Sequence, residues 1–319
     1  MTYASLFAGI GGFDLALNRL GHQCVYANEW DKYSAKTYEK NFGHRPETRS
    51  IVDVPTAGIP NHDILCGGFP CQAFSVAGKR RGFEDTRGTL FYHIARIARD
   101  KRPSYLFLEN VKGLLSHDNN RTFQTILRTF DELGYDLQWQ VLNSKDFGVP
   151  QNRERVFIIG HLRGKPRPEI FPIRADEQKD TRTIGQGISS CLDANYWKGF
   201  SPSGHQSKQR LAIVVPTIRA TRHKAGDNET VILQHSRDAR GTATYNERRI
   251  AGTLKQPSGN QQNFVKGNMK IRRLTPIECE RLQGFPDNWT LGVSDTQRYK
   301  QLGNAVTVDT VYEIAKRAF

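Results

Sequence analysis

Four side chains in the first half of the chain have the types and spacing for covalent, acid-assisted catalysis. They are Cys71 in Gly67-Gly68-Phe69-Pro70-Cys71-Gln72, Glu109 in Glu109-Asn110-Val111, and Arg153 and Arg155 in Gln151-Asn152-Arg153-Glu154-Arg155. A thiolate can bond to an electron-poor carbon and split one hard step into two easier ones. A carboxyl kept protonated or shared by burial can meet the charge that then arrives on the substrate. Arginines can stabilise charge at an oxygen and depress a thiol pKa. Each has a plainer reading: Cys71 as a small buried hydrophobe, and the arginines, on one face of an extended segment, as an exposed edge-strand ion pair. Whether the fold brings the four together decides the matter.

The elements around them suggest that it does. Asp63-Ile64-Leu65-Cys66 reads as a short buried strand, and the Gly-Gly-Phe-Pro turn leaving it puts Cys71 at its carboxyl edge, where open α/β sheets hold ligands. Pro70 fixes its own φ and biases Phe69 toward extended geometry. Tyr105-Leu106-Phe107-Leu108 is a second buried strand, ending at Glu109 on the same edge. Helical stripes run over Leu90 to Ala98 and Thr122 to Leu133; strands follow at Leu137 to Leu142 and Val156 to Ile159. At the start, a strand from Tyr3 to Phe7 leads through the turn Ala8-Gly9-Ile10-Gly11-Gly12 into helical spacing from Phe13. The order is Phe-x-Gly-x-Gly-Gly rather than Gly-x-Gly-x-x-Gly, so a plain tight turn stays open for this piece alone. The next strand, Cys24 to Asn28, ends in Glu29-Trp30. An acid about 20 positions after a glycine turn, at the tip of the second strand, suits ribose hydroxyls, and Trp30 offers a flat face for adenine. Together they favour an adenosine-containing cofactor.

From 176 to 270 periodicity weakens, and 15 Lys and Arg stand against 8 Asp and Glu, a separate small basic domain of loops and short strands such as Leu211 to Val215 and Val231 to Leu233. Lobes at 1–175 and 271–319 flank it. Thr275-Pro276-Ile277-Glu278 is a capping box that starts a helix, Ser294 starts another, and Gln301 to Val306 is read as opening the last. The formal charge of +14 would attract a polyanion, nucleic acid first. Gly78-Lys79-Arg80-Arg81-Gly82 is either a solvated loop or a lid, 78–88, over phosphates. No apolar run is long enough for a membrane span and the N-terminus has no leader pattern, so a cytoplasmic protein without membrane contact is expected. Five cysteines without a Cys-x-x-Cys pair indicate neither a disulfide frame nor a metal site.

A pyrimidine gives these residues a common task, because carbon 5 of cytosine takes a methyl group only after a thiolate has added to carbon 6. The quoted segments, with Phe7-Ala8-Gly9-Ile10-Gly11-Gly12, Asn28-Glu29-Trp30, Arg273-Leu274-Thr275-Pro276-Ile277-Glu278 and Gly303-Asn304-Ala305-Val306, resemble in this order the motif series of the bacterial DNA (cytosine-5) methyltransferases. The resemblance covers about 1–165 and 271–319. It implies an α/β, Rossmann-like S-adenosylmethionine-dependent fold with a mixed, mostly parallel sheet, a small mainly β and loop target-recognition domain, and C-terminal helices returning to the first lobe. It implies Cys71 as nucleophile, Glu109 on the flipped base, and Arg153 and Arg155 holding base and loop. Phe7, Ala8, Gly9, Ile10, Gly11, Gly12, Glu29, Trp30, Ile51, Pro70, Leu90, Asn304 and Val306 would line the cofactor site. Gln72, Ser75, Lys79, Arg80, Arg81 and Thr253 would touch DNA. The implied partners are double-stranded DNA and a restriction endonuclease acting on the same site without a stable complex; the family precedent is a monomer. The family's usual adenine-binding aspartate has no match, since Ser50 precedes Ile51 and Asp53 is only nearby. The rivals are a tRNA cytosine methyltransferase on the same scaffold and, from another class, a DNA-binding regulator with a dead site; the second would lack Cys71 or Glu109.

Overall fold

The computed structural model describes residues 1–70, 89–173 and 274–319 in full and, between 189 and 272, only the backbone of five short strands. Cys71, Gln72, Ser75, Lys79, Arg80, Arg81, Thr253 and the loop 78–88 lie outside the described residues.

The main sheet is built from β1 (Thr2–Leu6), β2 (Gln23–Asn28), β3 (Ile64–Gly68), β4 (Tyr105–Val111) and β5 (Tyr135–Asn143). A two-residue strand β6 (Gln151–Asn152) then precedes β7 (Glu154–Leu162), which completes it. The order is β2-β1-β3-β4-β7-β5; the first four strands are parallel, and β7 runs antiparallel between β4 and β5. In β1 the residues Tyr3, Ala4, Ser5 and Leu6 are all buried, as expected of a strand covered on both faces. One face carries α1 (Gly12–Arg19), whose Phe13, Ala16 and Leu17 pack with the C-terminal segment. At the β2 edge stands α2 (Lys32–Phe42), capped by Asp31, whose side chain accepts from the amides of Tyr33 and Ser34. The other face carries α3 (Leu90–Lys101) and α4 (Arg121–Glu132), with Ile94, Ile97, Ile126 and Phe130 fully buried. Three layers result, with one core on each side of the sheet.

The second region contributes β8 (Ser189–Ser190), which pairs parallel with β6. Its antiparallel sheet has the order β11-β10-β9-β12, from β9 (Leu211–Pro216), β10 (Val231–Arg237), β11 (Ala243–Glu247) and β12 (Met269–Arg272). The chain then enters α5 (Pro276–Leu282), opened by the Thr275–Glu278 capping box with Pro276 in the first turn, followed by α6 (Asp295–Asn304) and α7 (Val308–Ala318). This segment is stitched into the first lobe: the Trp289 indole donates to Ile10 O at 2.9 Å, Lys40 Nζ donates to Asn288 O and Leu291 O, and Phe319 packs edge-on against Tyr105.

One expectation is corrected. Gln301 to Asn304 do not open the last helix; they close α6, and α7 begins only at Val308. Ala305 at φ −65°, ψ 147° and Thr307 at φ −75°, ψ 119° are extended, because distant side chains bind carbonyls in this stretch.

Candidate active site

All strands of this sheet other than β7 end, and β7 begins, on one edge, so topology alone gathers the chemistry-bearing segments there. After β1, Phe7 and Gly9 take positive φ of 54° and 58°, and Gly11 follows at 84°. A Cβ on Gly11 would lie 2.1 Å from Phe42 Cε2, so both its conformation and its packing favour glycine, and one on Gly12 would lie 2.7 Å from Val306 Cγ1, a matter of packing alone. After β2, Glu29 Oε2 accepts the Gly9 amide at 2.8 Å and Oε1 accepts the Asp31 amide at 2.7 Å. Burial pushes the Glu29 carboxyl up, and these two amides pull it down. Each oxygen retains a further acceptor position, as a pair of vicinal hydroxyls requires. Beside it the Trp30 ring is 73 % exposed, an apolar face without cover at the sheet edge. This cradle fits an adenosine. Lys300 of α6 bonds Asp31 Oδ2 at 3.1 Å, tying the C-terminal segment to its rim.

Between β3 and β4 the register pairs Gly68 with Glu109. The Glu109 carboxylate bonds Arg155 Nε at 2.9 Å, with side chains only 12 % and 16 % exposed. Val111 is the register partner of Arg155 and Phe157 that of Glu109, so the pair is a diagonal one across the two strands. Burial raises the Glu109 pKa first; the charges of Arg155 and Arg153 pull it down. A proton on Glu109 is therefore easier to hold than on an exposed carboxyl, while the guanidinium keeps the group oriented. A Cβ on Gly68 would sit 2.9 Å from Glu109 Oε2, so the glycine makes room for the acid. The next residue faces the other way: Asn110 Nδ2 donates to Phe69 O at 2.8 Å, and Asn110 Oδ1 accepts the Val111 amide at 2.8 Å. Asn110 thus holds the carbonyl just before Pro70. Asn110 stands in the Glu109-Asn110-Val111 motif, and the signal for its task is an amide directly after a strand-end acid.

The two arginines part company. Arg153 precedes β7 and is 2 % exposed; its Nη2 donates to Gly303 O at 3.1 Å and Ala305 O at 2.7 Å. Its neighbours are also amides and hydroxyls from both chain regions. Gln283 Nε2 donates to Leu302 O at 2.6 Å, Thr307 Oγ1 donates to Gln283 Oε1 at 3.0 Å, Gln151 Nε2 donates to Leu282 O at 2.8 Å, and Ser144 and Thr307 hydroxyls meet at 2.8 Å. Because β7 is an interior strand, the edge-strand reading of the arginines does not hold.

Of the remaining expected residues, Ala8 is half-buried, its amide bonded to Asn28 O, Ile10 and Ile51 are buried, Pro70 and Asn304 are exposed, and Leu90 opens α3. Ser50 closes a turn by accepting the Asp53 amide on its carbonyl, and Asp53 is exposed. Among the described cysteines, Cys66 and Cys279 are buried, with burial raising the Cys66 thiol far above its ordinary value, and Cys24 is pushed up to about 12. None of these three is poised as a nucleophile. Among the described residues no cluster of His, Cys, Asp and Glu could hold a metal, and no helix is long and apolar enough to cross a membrane.

Comparison with known proteins agrees with this geometry. The Type II methyltransferase M.HhaI of Haemophilus parahaemolyticus is 39 % identical over 323 residues, spanning 99 % of this chain and 93 % of its own. The Type II methyltransferase M1.ScrFI of Lactococcus lactis subsp. cremoris is 41 % identical over 320 residues, spanning 98 % and 76 %. The crystal structure of the S. pombe Dnmt2 methyltransferase shares the fold at a TM-score of 0.66 and 17 % identity, covering 99 % of this chain and 97 % of that one. The C-5 cytosine-specific DNA methylase profile matches residues 1–319, and with a mixed six-stranded sheet beneath it the chain belongs to that family of DNA (cytosine-5) methyltransferases.

Proposed function

We propose that this methyltransferase acts on a cytosine swung out of a specific short duplex sequence, with Cys71 as the covalent nucleophile and S-adenosylmethionine as donor. The observation that carries the reading is the buried Glu109–Arg155 pair, one register step from the strand that leads into Pro70 and Cys71. Bound S-adenosylmethionine supplies an electrophilic methyl group; Glu29 would hold its ribose, Trp30 its adenine, and Gly9 to Gly12 with Asn304 and Val306 its remaining surface.

The protein's own residues handle the ring. Cys71 Sγ forms a bond to carbon 6, and the electron pair displaced from the ring's double bond makes carbon 5 nucleophilic. Glu109 shares its proton with N3 as charge arrives there, and the Arg155 guanidinium meets the ring oxygen. After transfer, loss of the carbon 5 proton and expulsion of the thiolate restore the aromatic ring. Extrusion of the base costs a few kcal/mol, offset by stacking and by hydrogen bonds to its edge. Gln72, Ser75, Lys79, Arg80 and Arg81 would grip DNA from the loop 71–88, and Thr253 from the basic region 176–270, which would select the sequence. The relatives' Type II names support a restriction-modification setting; a bacterial cytoplasm, an endonuclease acting on the same site and a monomeric methylase complete this reading.

Bisulfite sequencing of plasmid from cells expressing the protein tests the reading. One protected short sequence, lost in Cys71→Ala, is expected; unprotected cytosines throughout with the wild-type protein would overturn it.

A further inference from the structure

Arg153 is the largest fully buried side chain among the described residues, yet its Nη2 spends its hydrogens on two backbone carbonyls, those of Gly303 and Ala305. Those carbonyls flank Asn304, whose own side chain is exposed. An arginine at this point completes the C-terminal end of α6, where the last carbonyls carry partial negative charge and lack helical partners. Gln283 binds the same stretch from the other side, through Leu302 O and the Thr307 hydroxyl. The extended break at 305–307 is thus held by distant side chains together with the Ala305 amide on Gln301 O and the Val308 amide on Gln283 O.

Two residues further along the chain, Arg155 grips Glu109. A single dipeptide step therefore separates the clamp on the 303–306 loop from the carboxyl pair of the base site. We propose that Arg153 is a positioning strut for the cofactor side of the site, fixing Asn304 and Val306 through the Gly303 and Ala305 carbonyls, rather than a contact to the target base. This rests on the placement of the cofactor at 303–306 stated under Proposed function, and its test needs no methyl transfer. A planar guanidinium can bridge two carbonyls at fixed spacing, which an ammonium does poorly. The strut consequently belongs to the DNA-free protein.

The experiment measures S-adenosylhomocysteine binding by calorimetry without DNA, for wild type, Arg153→Lys and Arg155→Lys. Arg153→Lys is expected to weaken binding at least about 10-fold, the lower end of what one lost charge-assisted hydrogen bond costs, and Arg155→Lys to change it less than about 2-fold. Guanidinium NMR of the wild-type protein is the second readout: the Arg153 signals should shift on titration with S-adenosylhomocysteine alone, with the calorimetric affinity, which an anchor serving only stability would not do. Unchanged affinity in Arg153→Lys together with silent Arg153 signals would overturn the strut. If Arg153→Lys does not fold, the wild-type NMR titration decides alone. Failure of the wild-type protein to bind S-adenosylhomocysteine at all would instead overturn the cofactor reading beneath it.

Discussion

At the residue scale the site turns on how one carboxyl is kept from behaving like a surface acid. Burial raises Glu109 and Arg155 restrains the rise, and in the proposed mechanism that shift favours a proton shared with a ring nitrogen. The sign follows: the proton is present below the raised value and lost as pH climbs through it, so turnover should fall on the alkaline side. Glu109→Gln removes that titration. Its kcat is expected to drop on the order of a hundredfold with the alkaline limb flattened, as steady-state pH profiles would show; an unchanged alkaline limb would assign it to another group. Gly68 gives a milder test. A Cβ there comes within 2.9 Å of Glu109 Oε2, and the salt bridge from Oε1 to Arg155 restrains the carboxylate from swinging aside. Gly68→Ala should lower kcat about tenfold with the melting temperature nearly unchanged, the expected result of a small misplacement at a catalytic group; full activity would mean the carboxyl is free to move.

At the element scale, local chemistry was readable and long-range chemistry was not. The glycine turn after β1, the Thr275–Glu278 box and the strand-end acid at Glu29 declare themselves by neighbours one to four positions away. The break before α7 does not, because the side chains that take the Ala305 carbonyl, Arg153 and Gln283, lie 152 and 22 positions earlier. Insertion of β7 antiparallel between β4 and β5 is likewise a matter of pairing that no local pattern encodes. Gly11 shows how an element is fixed by a distant one: at φ 84° with Phe42 Cε2 2.1 Å from an added Cβ, Gly11→Ala should destabilise by about 3 kcal/mol in urea unfolding, from strain plus overpacking. Beneath the turn, Asp14 is buried and accepts the hydroxyls of Ser5 at 2.9 Å and Tyr38 at 2.7 Å. Burial raises its pKa, so its stabilising contribution is full below the unfolded value and lost as pH rises through the folded one. Relative to Asp14→Asn, the wild type should lose urea resistance from about pH 4 upward. A constant gap between the two would mean that Asp14 ionises without penalty.

At the scale of the whole molecule, the two ends of the chain form one body. α7 packs on α1, Arg19 pairs with Asp309, and the Glu280–Arg298 ion pair is buried within the returning segment. The basic excess lies partly elsewhere, half of the +14 in 176–270, a field that suits a polyanion. If that region and the basic segment 78–88 meet about six phosphates, duplex affinity should fall on the order of a thousandfold between about 50 and 200 mM salt. A flat response in fluorescence anisotropy would rule out backbone contact as the main source of affinity. What the sequence left unread at this scale is which bases are chosen, because specificity depends on side chains reaching base edges from loops whose geometry no periodicity fixes.

The proposed covalent step is open to direct capture. A duplex carrying 5-fluorocytosine at the methylated position cannot release the carbon 5 substituent as a proton, so the enzyme should remain bonded to it. With S-adenosylmethionine present, denaturing gels and mass spectrometry are expected to show one DNA strand attached through Cys71 in the wild type and none in Cys71→Ala. A wild-type protein that methylates the ordinary duplex yet never becomes attached to the fluorinated one would contradict the thiolate mechanism.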